Sequence, residues 1–173
     1  LKNVRQSSAD MPVRLTPNGQ DTPLVSGVDD AVLRQFVGYN MKRAFNVVQA
    51  DLTQTLKPLG LRMLTYTALV LIVENPGLSQ SQLAAAMDVE RPNLVEIIDE
   101  LEQRALVLRR RVPADRRIYA LTATPEGIQL CQKALAADKA HEARLFEEIP
   151  SQTIETMIET MQTVRTRGAL GAK

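Results

Sequence analysis

The chain has no tryptophan, only three phenylalanines and three tyrosines, and a single cysteine in 173 residues. Aromatics this scarce, beside abundant Ala, Leu, Val and Met, favour helix-on-helix packing over a β-sandwich. One cysteine, Cys131, excludes an internal disulfide and fits a reducing compartment. Its neighbours Ile128, Leu130 and Leu135 read as a helical apolar face, so a buried, inert thiol is favoured over a redox sensor. His141 is the only histidine, and a zinc site there has no second His or Cys nearby to draw on. The sequence contains no P-loop, no paired-glycine fingerprint and no Ser-His-Asp set. Neither an enzyme nor a cofactor is therefore expected. Long apolar runs are missing as well. The richest, Leu64 to Val73, is too short to span a bilayer and is interrupted by Thr65, Tyr66 and Thr67. With no secretory h-region either, a cytoplasmic protein without a membrane partner is expected.

A net excess of charge is also lacking: the whole chain carries only +1. The distribution is uneven, however. Between residues 104 and 117 stand Arg104, Arg109, Arg110, Arg111, Arg116 and Arg117 against Asp115 alone, a local net of +5 that leaves about −4 for the remainder. A basic patch on an otherwise acidic body points to a site for a polyanion. The densest part, Arg109 to Arg117, lies between the strand-like segments Leu106-Val107-Leu108 and Ile118-Tyr119-Ala120-Leu121. A β-hairpin tipped with arginine can follow a phosphate backbone and place a guanidinium in a minor groove.

The rest of the chain divides by pattern. Residues 1 to 27 hold Pro12, Pro17, Pro23, Gly19 and Gly27 among polar residues and read as a flexible arm. The opening on Leu1 rather than Met is compatible with a native start further upstream. From Asp29 a long helix is expected, with Leu33, Phe36/Val37, Asn40/Met41, Ala44, Val48, Leu52 and Leu56 at three- and four-residue steps, ended by Pro58 and Gly60. Residues 28–60 would form the N-terminal helical segment. A second helix spans about Leu61 to Glu74. Ser79 then caps a short helix, Gln80 to Met87, and Asp88-Val89 makes a tight connection to another from about Glu90 to Arg104. Thr124-Pro125-Glu126 opens a long helix expected to reach Ile149, with Thr as cap and Pro in the first turn. Ser151 caps a last helix carrying Ile154, Met157, Ile158, Met161 and Val164 on one face. Residues 61–124 would form a DNA-binding lobe, and 125–173 the C-terminal dimerisation helices.

Helix, tight turn, helix, then β-hairpin is the winged helix-turn-helix layout. The fold class expected is mainly α with a small β-hairpin wing, flanked by long dimerisation helices. In such a layout the first short helix, from Ser79 and Gln80, braces the second across the backbone of the duplex. The second presents its N-terminal end to the major groove. Arg91, Pro92, Asn93 and Glu96 are the exposed candidates there. Arg91 suits bidentate pairing with guanine and Asn93 with adenine, while Pro92 removes an N–H where none is needed.

The runs 79-SQSQLAAAMDV-89 and 98-IDELEQRALV-107, then Arg110, Asp115-Arg116-Arg117 and Thr124-Pro125-Glu126-Gly127, resemble the MarR family of dimeric winged-helix transcription regulators. The resemblance spans about Val28 to Val164, and its most specific element is the Pro113-to-Arg117 wing followed by Thr-x-x-Gly. It implies that Asp115 orients a wing arginine and that Arg117 enters the minor groove. Arg110, Arg111 and Arg116 are the further candidate DNA-binding residues of the wing, and the outer helices would build a homodimer on an inverted-repeat operator. It also implies an effector pocket, with Tyr39, Arg43, Arg62, Met63 and Tyr66 as candidate lining residues. An arginine beside apolar and phenolic groups suits an aromatic carboxylate or its acyl-CoA thioester. The chain departs from the family pattern at Val95-Glu96, where Thr-Arg is frequent, at Ala105, where Gly is usual, and at Ala123, where Leu is usual. The turn after the recognition helix is where a difference is expected. A ligand-responsive repressor is the reading favoured. The alternative is a helical protein–protein adaptor that keeps the fold without binding DNA, which would have no use for so many wing arginines.

Overall fold

The computed structural model describes residues 27–112 and 115–171; the side chains of residues 111–112, 115–119 and 169–171 lie outside that description. Contacts divide the chain into a short unit ending at Arg43 and a larger one from Ala44 onward.

In the first unit a single 3-10 turn, Leu33–Gln35, precedes α1 (Val37–Leu56). The expected continuous helix from Asp29 is interrupted. Phe36 adopts an extended conformation, φ −99° and ψ 130°. Asp30 supplies the local order, because its carboxylate accepts from Tyr39 Oη at 2.8 Å and pairs with Arg34 at 2.9 Å. That side-chain network competes with helical hydrogen bonding over residues 30–36.

The larger unit holds the rest of α1, then α2 (Met63–Glu74), β1 (Leu78–Ser79), α3 (Gln80–Met87), α4 (Arg91–Gln103), β2 (Val107–Val112), β3 (Asp115–Ala123), α5 (Pro125–Leu145) and α6 (Ser151–Gly171). The strands form an antiparallel sheet in the order β1-β3-β2. Only β2 and β3 were legible as strands, and both run further into the arginine run than expected, with Arg111 paired to Tyr119. β1 has just two residues, held by Leu78 against Leu121 and Ser79 against Ala120. Gly77, at φ 92°, makes the bend and donates its N–H to the Leu121 carbonyl at 2.8 Å. α5 stops at Leu145, before the expected Pro150, because Phe146 and Ile149 close a separate turn.

The main core gathers Leu69 and Ile72 of α2, Leu83 of α3, Leu94, Ile98 and Leu101 of α4, Val107, Leu121 and Cys131, all almost wholly buried. Leu94, Ile97, Ile98 and Leu101 follow the helical repeat that puts one stripe inward. A smaller cluster joins Leu56, Leu61, Tyr66 and Ala134. No single helix among the described residues is long and apolar enough to cross a membrane.

Candidate nucleic-acid interface

α3 starts on a reciprocal cap. Ser79 Oγ accepts from the Gln82 N–H at 3.2 Å, and the Gln82 side chain accepts from the Ser79 N–H at 3.0 Å. Asp88, left-handed at φ 52°, then turns the chain, and three residues separate α3 from α4. This is the tight connection expected from Asp88-Val89. α4 follows with Pro92 in its first turn. Pro92, Asn93 and Glu96 face solvent, whereas Leu94 and Ile97 are buried. Ser79 and Gln80 are half-buried at the start of α3. Arg91 is exposed but engaged, since its Nη2 donates to Ser81 Oγ of α3 at 2.8 Å.

The C-terminal end of α4 depends on a left-handed Ala105, φ 54°. The turn thus keeps a conformation natural to glycine although the residue is alanine, so the difference expected there is one of strain rather than of shape. Thr124 completes the joint. Its Oγ1 donates to the Ala105 carbonyl at 2.8 Å and accepts from the Gly127 N–H at 3.0 Å, capping α5. A Cβ on Gly127 would lie 2.1 Å from the Leu106 carbonyl oxygen. The Thr-x-x-Gly spacing therefore lets the first turn of α5 lie directly on the backbone that leads into β2.

Of the arginine run, Arg110 is exposed. Arg109, its neighbour on the opposite face of β2, turns back to α4 and pairs with Asp99 and with Glu102, the latter at 3.2 Å. Arg104 donates to the Gly60 carbonyl at 2.6 Å and to Leu59 at 3.2 Å. Two of the six arginines counted as a basic patch are thus structural ties. The side chains of Arg111, Asp115, Arg116 and Arg117 lie outside the described residues. The backbone places Arg111 in β2 and the other three in β3.

The residues proposed for a small molecule are also occupied. Arg62 is exposed and pairs with Glu100 of α4. Met63 is half-buried at the start of α2. Tyr66 is buried and donates its hydroxyl to Asp138 at 2.7 Å, and burial followed by that hydrogen bond pushes the phenol well above its ordinary pKa. In the first unit the hydrogen bond to Asp30 raises the Tyr39 phenol, and the Arg43 guanidinium stands 5.9 Å from the Tyr39 ring centre. Burial pushes the Cys131 thiol up, in keeping with an inert core cysteine. Among the described residues no group of three His, Cys, Asp or Glu is placed to hold a metal ion.

One constellation escaped sequence reasoning. His141 is 1% exposed, and its Nδ1 lies 2.7 Å from Asp51 Oδ2 of α1, an oxygen that Arg144 also reaches. The bond to His141, helped by Arg144, holds the Asp51 carboxyl below its usual range against the opposing effect of burial. An ionised carboxylate only accepts, so Nδ1 carries the proton.

The MarR family model matches residues 61–119, the stretch from the start of α2 into β3. A solved MarR-family transcriptional regulator from Rhodococcus sp. RHA1 superposes with a TM-score of 0.72 at 34% identity, over 78% of this chain and 95% of that one. The chain belongs to the MarR family. Two structures of the repressor CouR are similar to this MarR protein. One, bound to a 23-mer DNA duplex, has a TM-score of 0.77 and 30% identity over 81% of this chain and 99% of its own. The other, from Rhodococcus jostii RHA1 and bound to p-coumaroyl-CoA, has a TM-score of 0.70 and 36% identity over 76% and 93%. A curated relative from Thauera aromatica, assigned to regulation of the hcr operon, is 43% identical over 86 residues. Those residues are 47% of this chain, and they span about half, 52%, of that relative.

Proposed function

We propose that this MarR-family protein is a DNA-binding transcriptional repressor that a small acyl-CoA thioester releases from an inverted-repeat operator. The observation that carries the reading is the N-terminal half of α4. Its inward residues are buried in the core, while Pro92, Asn93 and Glu96 stand exposed on a helix set by the short turn Asp88-Val89-Glu90 after α3. That is the arrangement by which a helix is presented to a major groove. The similar repressor solved on a DNA duplex has the same fold along nearly its whole length. Arg110 and the wing arginines then supply phosphate contact, and Arg91 braces the α3–α4 crossing through Ser81.

The second copy follows from unsatisfied apolar surface. α6 leaves Met157, Ile158, Met161 and Val164 exposed, and the first unit leaves Val32, Phe36 and Val37 exposed. Faces of this kind are buried by a partner, and a twofold dimer matches a palindromic operator. For the effector, the similarity to a repressor bound to p-coumaroyl-CoA favours a thioester over a free acid. Arg62 and Met63 are the residues taken to meet it, with Arg62 able to exchange Glu100 for an anionic group.

A fluorescence-anisotropy titration on the duplex upstream of the protein's own coding sequence tests the reading. Binding that weakens steeply with added salt is expected, and p-coumaroyl-CoA should reverse it where p-coumarate and CoA separately do not. Absence of salt-dependent binding to any duplex would favour the adaptor.

A further inference from the structure

Among the described residues of the arginine run, Arg109 is the cation withheld from solvent. Arg109 keeps only 20% of its side chain exposed. Its guanidinium pairs through Nη2 with Asp99 and lies through Nε 3.2 Å from Glu102 Oε2. Asp99 and Glu102 stand three residues apart on α4, one above the other, so a single guanidinium lies within ion-pair distance of both, hydrogen-bonded to Asp99 and facing Glu102 with its buried Nε. On the strand side Arg109 is in register with Leu121, which is wholly buried. Arg110 follows on the other face of β2 and is exposed.

We propose that Arg109 is a positioning residue, whose clamp on Asp99 and Glu102 sets the angle between α4 and the β2–β3 hairpin. The proposal rests on the DNA-binding reading for its consequence, because grooves of a duplex are fixed in spacing. A helix in one groove and a hairpin in the next bind together only if their separation is held. The sheet itself holds it weakly, since beyond the β2–β3 pair it has only the two residues of β1. The clamp also explains two carboxylates beside a surface that should attract phosphate. Neutralised by Arg109 they cost little, and they convert one cation from a contact into a brace. A lysine, with a single ammonium, cannot span both acids in this way.

The test uses the full chain and the doubly neutralised variant Asp99→Asn/Glu102→Gln. It keeps Arg109 and removes two negative charges from the DNA-facing lobe. If the acids merely sit near DNA, binding tightens and its salt dependence steepens. Positioning requires the opposite: binding weaker by roughly tenfold, on the scale of couplings between contacting residues, with a shallower salt slope because fewer phosphates are met. Arg109→Lys, which preserves charge and is the milder change, should lie between the two. Amide exchange on the free proteins supplies a readout without DNA. Residues 107–112 and 115–123 should exchange faster in both variants, while amides in α2 and α5 stay as in the parent. Parent-like exchange in the hairpin, or tighter DNA binding by the double variant, would overturn the clamp. A parent protein that binds no duplex would instead overturn the DNA reading, and the exchange data would still decide whether Arg109 holds the hairpin.

Discussion

Gly127 and Ala105 lie on either side of the same backbone contact, and each carries a prediction of opposite sign. A methyl at 127 would meet the Leu106 carbonyl at 2.1 Å, so the first turn of α5 must lift off. Gly127→Ala should lower stability by about 1–3 kcal/mol, the usual cost of overpacking, seen as a lower denaturant midpoint. Ala105 is exposed and left-handed at φ 54°. Ala105→Gly should raise stability by about 0.5–1 kcal/mol, the strain of a left-handed alanine less the extra freedom glycine has when unfolded. A fall in melting temperature would show that the Ala105 methyl makes a contact worth more than its strain. Asn93 is exposed and uncharged on α4. Asn93→Ala should weaken specific binding by roughly 1–3 kcal/mol while leaving non-specific affinity and the salt slope unchanged. Equal loss on operator and random duplex would mean that Asn93 does not read bases.

At the scale of elements, α5 meets α2 and α1 through polar ties. It holds α2 through the Tyr66–Asp138 hydrogen bond, and α1 through Asp51, His141 and Arg144. Because Asp51 is ionised more readily when folded than when unfolded, its contribution is complete above the ordinary carboxylate pKa of about 4. It is lost as pH falls through the lower folded value. Asp51→Asn should therefore melt below the parent at pH 7, and the gap should narrow as pH is lowered beneath about 4. A gap that widens on acidification would show that the carboxyl is not the titrating partner of the junction. The exposed position of Asp51, 36% for its side chain, keeps the effect modest.

For the whole molecule the exposed stripe of α6 is decisive. Met161 is 46% exposed amid Met157, Ile158 and Val164. Placing a charge there, as in Met161→Asp, should convert a dimer to monomers in sedimentation at micromolar concentration. It should also lower operator affinity by much more than affinity for a half-site, because the two half-sites are then no longer linked. Circular dichroism unchanged from the parent would show that the lobe from α2 to α5 folds regardless. A parent chain that sediments as a monomer would refute the assembly.

What the sequence determined by itself was local. The inward stripe of α4, the caps at Ser79 and Thr124, the turn at Asp88 and the two longer strands are each written within a few neighbouring residues, where helical or alternating periodicity can be read. The tertiary structure decided everything that depends on which segments meet. β1 is a strand only because β3 lies beside it; two residues show no alternation of their own. The helix expected from Asp29 breaks because Asp30 finds Arg34 and Tyr39 as partners. His141 reads as an isolated residue until chain closure brings Asp51 to it across 90 positions. Arg109, indistinguishable in sequence from Arg110, is separated from it by strand alternation and by two acids on a helix already past. Charge in a sequence is a count; which charges remain for a partner is set by those the fold has already paired.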